Sequence, residues 1–149
     1  MMSGNMNELK DHPIVKFYIE NNHFGKLLDM DFDIIGPGEI VYKMKINESH
    51  LATPLAAHGG AICAIMDATM GVCALSNVIF EGKVVSTIEM KISFINPAKL
   101  HDELAATAST IKSGNKLLFI EGRIENQNKD LIAVATGTFN AYPSVKAGF

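Results

Sequence analysis

The stretch "HGGAICAIMDATMGVCAL", His58 to Leu75, decides the fold of this chain. Its larger apolar residues recur at three-to-four spacing, and alanines make the remaining surface apolar as well. This pattern predicts one long helix from Gly59 to about Leu75 that is buried on most sides. A single carboxylate, Asp67, lies in the middle of that helix and needs a physical reason to be there, because an ionised carboxylate is strongly disfavoured in an apolar setting.

The segments around this helix predict an antiparallel sheet. A short helix is expected from about Asp11 to Tyr18, followed by a strand, a turn at Gly36-Pro37-Gly38 and a second strand, and then a loop over 48–57. Four alternating segments with short, turn-rich connections follow, at 84–95, 103–112, 116–126 and 131–142. In the first of these, alternation places Val84, Ile88, Met90, Ile92 and Phe94 on one face and Thr87, Glu89, Lys91 and Ser93 on the other. A sheet of five to six strands must bury its apolar face, so we expect it to curl around the one long helix, an α+β arrangement.

Composition sets the size and surroundings of the protein. The chain has 149 residues, of which 48% are hydrophobic and 19% charged, so we expect a single domain over 1–149, with a helical segment at 1–25 packed on it. The net charge is −3 and the 13 basic residues are scattered, which predicts no nucleic-acid or membrane surface and a cytoplasmic protein. Cys63 and Cys73 lie ~15 Å apart along one helix, too far for a disulfide.

Two features of the opening stretch carry chemistry. Gly59 and Gly60 present free N–H groups at the positive end of the helix, where they can hold an oxyanion or can simply allow a tight entry into the helix. Asp67 is either tied by a local hydrogen bond, to Thr69, Thr53 or the backbone, or acts as a general base or nucleophile. The eight residues between Gly59 and Asp67 correspond to ~12 Å of helix. One chain therefore cannot bring both groups to one carbonyl, whereas two antiparallel helices across a two-fold axis can.

The motif "HGGAICAIMDATMG", together with "STIEMKISFINPAKLHDEL", "IKSGNKLLFIEGRI" and "LIAVATGTFNAY", resembles the hotdog-fold acyl-CoA thioesterases of the PaaI-like and 4-hydroxybenzoyl-CoA types. The resemblance covers roughly residues 54–142. It implies a hotdog fold and an enzyme that hydrolyses an acyl-CoA thioester. The enzyme would be a homodimer or a dimer of dimers, with coenzyme A as part of the substrate and neither a metal nor another cofactor.

The resemblance also implies roles for individual residues. The Gly59 N–H polarises the thioester carbonyl, and Asp67 of the partner subunit is the base or nucleophile. Thr87, with Ser86 as the fallback, positions the water or the carboxylate, and His58 is a secondary candidate that either contacts substrate or fixes the turn. The family's asparagine before the HGG is missing, and Thr53 could substitute for it. Coenzyme A would be held by Gly60, Phe94, Asn96, Pro97, Ala98, Lys99, Lys112, Ser113, Gly114, Asn115, Lys116 and Asn140. The apolar residues available for an acyl pocket include Phe17, Tyr18, Phe24 and Met70.

Two other functions remain open at this point. A hydroxyacyl-thioester dehydratase of the same fold would use His58 together with Asp67. A non-catalytic acyl-CoA or lipid-binding module would use the same groove without hydrolysis.

Overall fold

The computed structural model describes residues 6–36 and 38–149. The helices are α1 (Met6–Asp11), α2 (Pro13–Asn21), α3 (His23–Leu27) and α4 (Gly59–Val78). The strands are β1 (Met30–Gly36), β2 (Glu39–Lys45), β3 (Lys83–Phe94), β4 (Glu103–Ser113), β5 (Leu117–Glu125) and β6 (Leu131–Pro143). The turn predicted at 36–38 joins β1 to β2, and its middle residue, Pro37, lies outside the described residues.

Helix α4 is the core of the fold and is longer than its sequence pattern predicts. It begins at Gly59 as expected but continues past Leu75 to Val78. Ser76 and Asn77 do not break it, because their side chains both donate hydrogen bonds back to the Cys73 carbonyl, at 2.7 and 2.9 Å. Gly82, in the left-handed region with φ 69°, then turns the chain into β3.

The six strands form one antiparallel sheet in the order β1-β2-β4-β5-β6-β3. The sheet wraps α4, which packs against β2, β3, β4, β5 and β6. Close approach is possible because Gly122 lies directly beneath the helix, where a Cβ atom would come within 2.5 Å of the Met66 sulfur. The predicted α+β sheet around one central helix is therefore confirmed.

The N-terminal residues form three short helices instead of the single one expected. His12 caps α2 by accepting a hydrogen bond from the Ile14 N–H through Nδ1 at 3.2 Å, and Asn22 caps α3 by accepting one from the Gly25 N–H at 3.0 Å. Asn22 is thus the single residue that connects α2 to α3. Leu9 and Val15 from this segment are buried in the hydrophobic core.

By length and composition alone, the region Gly59–Glu81 could cross a membrane, since its mean hydropathy reaches 1.7. However, 61% of that window is buried inside the domain, as expected for the core helix of a sheet-wrapped fold. Both cysteines lie on this helix and both are free thiols.

Candidate active site

The N-terminus of α4 presents one free hydrogen-bond donor. His58 is the N-cap residue, and its Nδ1 accepts a hydrogen bond from the Gly60 N–H at 2.8 Å. Within the described residues the Gly59 N–H has no partner, although it lies at the positive end of a 20-residue helix. The two glycines are therefore not equivalent, because only Gly59 has an N–H that is free to bind an oxyanion.

Gly59 opens onto a groove of about 260 Å³. The Phe94 ring covers it so closely that a Cβ atom on Gly59 would lie 3.4 Å from the ring. The groove is lined by Ala57, Gly59, Ile62, Phe94, Ile95, Asn96, Pro97, Ala98 and Ile132. It thus brings four of the expected coenzyme A residues, Phe94 and 96–98, next to the free donor.

The Asp67 carboxylate is held by β3. Thr87 donates a hydrogen bond from Oγ1 to Asp67 Oδ1 at 2.8 Å, whereas Thr69 and Thr53 are engaged elsewhere. The Thr69 hydroxyl donates to the Ile65 carbonyl, and Thr53 Oγ1 accepts from the Ala56 N–H. Neither Thr69 nor Thr53 therefore binds the Asp67 carboxylate, and Thr87 is the threonine that does.

A β-bulge at Ile88 makes the contact between Thr87 and Asp67 possible. Strict alternation places Thr87 on the face opposite Met90, and that prediction is wrong. The register between β3 and β6 shifts between Thr87 and Glu89, so Thr87 pairs with Phe139 and Met90 with Gly137, both on the helix-facing side of the sheet. Ile88 is left 55% exposed instead of packing against the core.

Asp67 and Thr87 lie in a cavity of about 330 Å³. Apart from these two residues it is mostly apolar, with walls from α2, α4, β3, β6 and the C-terminal residues. The lining residues are Ile14, Phe17, Tyr18, Ala68, Gly71, Val72, Leu75, Val84, Val85, Ser86, Phe139, Tyr142, Ala147 and Phe149. Of the four residues suggested for an acyl pocket, only Phe17 and Tyr18 contribute; Phe24 is exposed and Met70 is buried in the core.

Burial and the charge of Asp67 raise the pKa of two neighbouring side chains. Burial, reinforced by this carboxylate, raises the pKa of the Cys63 thiol one helical turn away. Burial also raises the pKa of Tyr18, to which the Asp67 charge contributes. Both groups therefore remain neutral at neutral pH, and among the described residues that line the cavity Asp67 is the only one with an acidic carboxyl side chain.

The residues expected to bind coenzyme A lie at two opposite ends of β3 within one chain. Phe94 and the segment 96–99 lie at the Gly59 end. The hairpin 112–116 lies at the other end, where Lys83 at the start of β3 donates from Nζ to the Asn115 carbonyl and Oδ1 at 3.2 and 3.1 Å. The 12 residues of β3 span roughly 30 Å or more, so one protomer does not bring the two groups together.

Five further candidate residues have defined places in the structure. Ser86 and Asn140 pair across β3 and β6, near the hairpin end of the sheet. Lys99, Lys112 and Lys116 are exposed, and their ammonium groups make no ion pair with any residue in 6–36 or 38–149. These lysines are thus free to bind an anion.

The structure adds wall residues that no motif indicated. Phe149 and Ala147 reach the Asp67 cavity from the C-terminal 3-10 turn Ser144–Ala147 and the residues after it, and Phe149 packs edge-on against Phe17, with ring centroids 5.1 Å apart. The sequence shows only that Ala147 and Phe149 are apolar, and because core residues are apolar as well, this property alone does not identify cavity residues.

A six-stranded antiparallel sheet wrapped around one long helix is the arrangement of a hotdog fold. A model described as the thioesterase superfamily matches residues 56–133, more than half of the chain's 149 residues. The chain belongs to the thioesterase superfamily, and the expectation of a thioester hydrolase is confirmed.

Similar proteins agree with this placement. The chain is 29% identical to a putative esterase of Archaeoglobus fulgidus over 125 residues, which are 83% of this chain and 79% of that protein. It is 28% identical to human acyl-coenzyme A thioesterase 13 over 93 residues, 61% of this chain and 64% of that protein, so the match spans less than two thirds of the human enzyme. The structure of E. coli PaaI, from the phenylacetic acid degradation operon, superimposes with a TM-score of 0.83 at 21% identity, covering 93% and 96% of the two chains, which supports the hotdog fold.

Proposed function

We propose that the protein hydrolyses acyl-coenzyme A thioesters to a free carboxylic acid and coenzyme A, at a site shared by two copies of the chain. The observation that carries this proposal is the free Gly59 N–H at one end of α4 and the Thr87-bound carboxylate of Asp67 two turns further on. Each has its own cavity, and ~12 Å of helix separates them. The similarity to acyl-coenzyme A thioesterase 13 supports coenzyme A as the leaving group.

The exposed edge of β3 is where the second copy would bind. Within the described residues no strand pairs with this edge, although it is 12 residues long and carries exposed Ile88 and Phe94. Long unpaired edges are sites of strand pairing between chains. Antiparallel pairing of two β3 strands, centred on Lys91 and with the bulged residue Ile88 left out of the count, places Thr87 opposite Phe94 of the partner subunit. Because Thr87 holds Asp67 and Phe94 covers Gly59, the two halves of the site meet twice in such a dimer.

The same pairing joins the two separated groups of coenzyme A residues. It brings the hairpin 112–116 of one subunit beside Phe94 and the segment 96–99 of the other. Lys99, Lys112 and Lys116 then contribute unpaired positive charges from both subunits along one groove, where phosphates of coenzyme A would bind.

The chemistry follows from what each group can do. The Gly59 N–H and the positive end of α4 stabilise the negative charge that develops on the thioester oxygen. Asp67 either takes a proton from water as the water attacks the carbonyl carbon, or attacks that carbon itself to form an anhydride that water then opens. In both routes the C–S bond breaks and the sulfur leaves as the thiol of coenzyme A. Multiple turnovers in ¹⁸O-water separate the routes, since only the anhydride route allows label into the Asp67 carboxylate.

The position of His58 favours hydrolysis over dehydration. Its Nδ1 is occupied by the Gly60 N–H, so the imidazole acts as the cap of α4. In a neutral imidazole whose Nδ1 accepts a hydrogen bond, the proton lies on Nε2, so neither nitrogen has a free lone pair to take a proton from a substrate, as a dehydratase would require.

The test is hydrolysis of a panel of short, long and aromatic acyl-CoAs by the purified protein and by Asp67→Asn. Asp33→Asn is the matched control, because it removes a carboxylate of the same size from the exposed face of β1. We expect turnover by the wild type and the control and a loss of at least a hundredfold in Asp67→Asn. Absence of hydrolysis for every member of the panel, with retained binding, would instead support the binding module.

A further inference from the structure

Tyr18 places a side chain with a polar group in the wall of the apolar cavity that contains Asp67, and the Asp67 charge acts on its hydroxyl. It lies on α2, outside the segment matched by the family model, and lines the cavity beside Ile14 and Phe17. Its hydroxyl oxygen is 3.1 Å from the hydroxyl of Tyr42 and 3.3 Å from Asn22 Nδ2. The direction of these hydrogen bonds decides what Tyr18 can offer to a bound molecule.

The contact with Asn22 has a fixed direction. Asn22 Oδ1 accepts the Gly25 N–H at 3.0 Å, which identifies the amide atom facing Tyr18 as the nitrogen. An amide nitrogen only donates, so Tyr18 Oη must accept this hydrogen bond. One of its two lone pairs is therefore occupied.

The contact with Tyr42 has a direction set by burial. Tyr42 is 0% exposed, and Tyr18 Oη is the only hydrogen-bond partner of its hydroxyl in the described part of the chain. If Tyr18 donated to Tyr42, the Tyr42 proton would be buried without an acceptor, which is costly. Tyr42 therefore donates, both lone pairs of Tyr18 are filled, and the Tyr18 proton has no acceptor among the described residues.

The free proton is a strong and persistent donor. Donation by Tyr42 and Asn22 polarises the Tyr18 hydroxyl, which strengthens the hydrogen bond that Tyr18 itself can donate. Its pKa is raised, first by burial, so the phenol stays protonated at neutral pH. Before substrate binds, water can accept this proton, and an acyl group that displaces the water without replacing its hydrogen bond binds less well.

We infer that Tyr18 is a specificity-determining residue, which favours acyl groups that carry an oxygen acceptor, a hydroxyl or a carbonyl, over plain hydrocarbon acyl groups of the same shape. The inference rests on the proposed function, because it takes the Asp67 cavity as the acyl site. It concerns a residue of the N-terminal helices and not the groups that polarise or attack the thioester.

Matched acyl-CoA pairs test this inference. Each pair has the same carbon skeleton with and without one oxygen, and hydroxyl and oxo series with the oxygen at successive carbons are assayed separately for kcat/KM. In the wild type we expect the best oxygen position to be preferred over the unsubstituted member by between about fivefold and a hundredfold, the effect of leaving one buried donor unsatisfied. Because each variant is compared with itself, a general loss of folding or activity does not change the ratio.

Three variants make the test specific. Tyr18→Phe should lose the preference, and Tyr42→Phe should keep it, because Tyr18 still accepts from Asn22 and still donates. The double variant Tyr18→Phe/Tyr42→Phe removes both hydroxyls, so neither is buried without a hydrogen-bond partner. It should fold as well as the wild type and still lack the preference.

Each outcome bears on the inference. A wild type that hydrolyses both members of every pair equally refutes it while the proposed function stands. Equal loss of preference in Tyr42→Phe and Tyr18→Phe would also contradict it, because the selectivity would then come from packing. A protein that hydrolyses no member of any pair refutes the proposed function and this inference together.

Discussion

Replacing Gly59 by proline removes the one hydrogen atom on which the proposed catalysis depends. Gly59 is the first residue of α4, a position where proline is favoured because its missing N–H has no helical partner. The preceding residue must be extended, and His58 already is, with φ −64° and ψ 138°. The helix should therefore form normally in Gly59→Pro, while the oxyanion donor is lost.

The expected cost is that of one oxyanion-hole donor, about 2.7–4 kcal/mol or a hundred- to a thousandfold in kcat. The matched control is Gly59→Ala, which keeps the N–H and adds a Cβ atom at 3.4 Å from the Phe94 ring, a contact that a small shift of the ring accommodates. Both variants are assayed for acyl-CoA hydrolysis, with thermal unfolding to verify the fold. Equal activity in the proline and alanine variants would refute the role of the Gly59 N–H.

Three further predictions concern the neighbours of these groups. Thr87→Val removes the hydrogen bond to Asp67, and a hydrogen bond to a charged group is worth about 1.5–3 kcal/mol, so kcat should fall ten- to a hundredfold. Thr87→Ser keeps a hydroxyl and should retain most activity. Similar kcat values for the two variants would contradict the positioning role. Phe149→Ala opens the wall that Phe149 forms with Phe17, so the optimum acyl length should increase in a chain-length series, and an unchanged optimum would place the acyl group elsewhere. His58→Ala should lower the free energy of unfolding by about 1 kcal/mol in urea titrations, and His58→Asn, a good N-cap, should recover it; unchanged stability in His58→Ala would contradict the capping role.

The central helix and the sheet could be predicted because they depend on periodicity. The three-to-four spacing in α4 and the two-residue alternation in the strands are properties of the sequence itself. The free N–H at Gly59 and the isolated carboxylate of Asp67 were likewise visible as a helix start and a charge in an apolar run.

The parts that could not be predicted depend on single residues or on tertiary contacts. The bulge at Ile88 adds one residue to β3 without any change in composition, yet it turns Thr87 towards Asp67. The separation of the hairpin 112–116 from the segment 96–99 follows from the order of the strands in the sheet, which a sequence motif does not contain. Tyr18 meets Tyr42 across 24 positions of sequence, so no local pattern indicated their hydrogen bond.

The shared site is the central claim, and mixing two inactive variants tests it most directly. Gly59→Pro and Asp67→Asn are combined in equal amounts under conditions of subunit exchange, with heterodimers quantified by mass spectrometry. Half of the dimers should be mixed and each should contain one intact site, so activity should recover to about a quarter of the wild-type value. No recovery despite verified heterodimers would show that Gly59 and Asp67 do not act across a subunit interface.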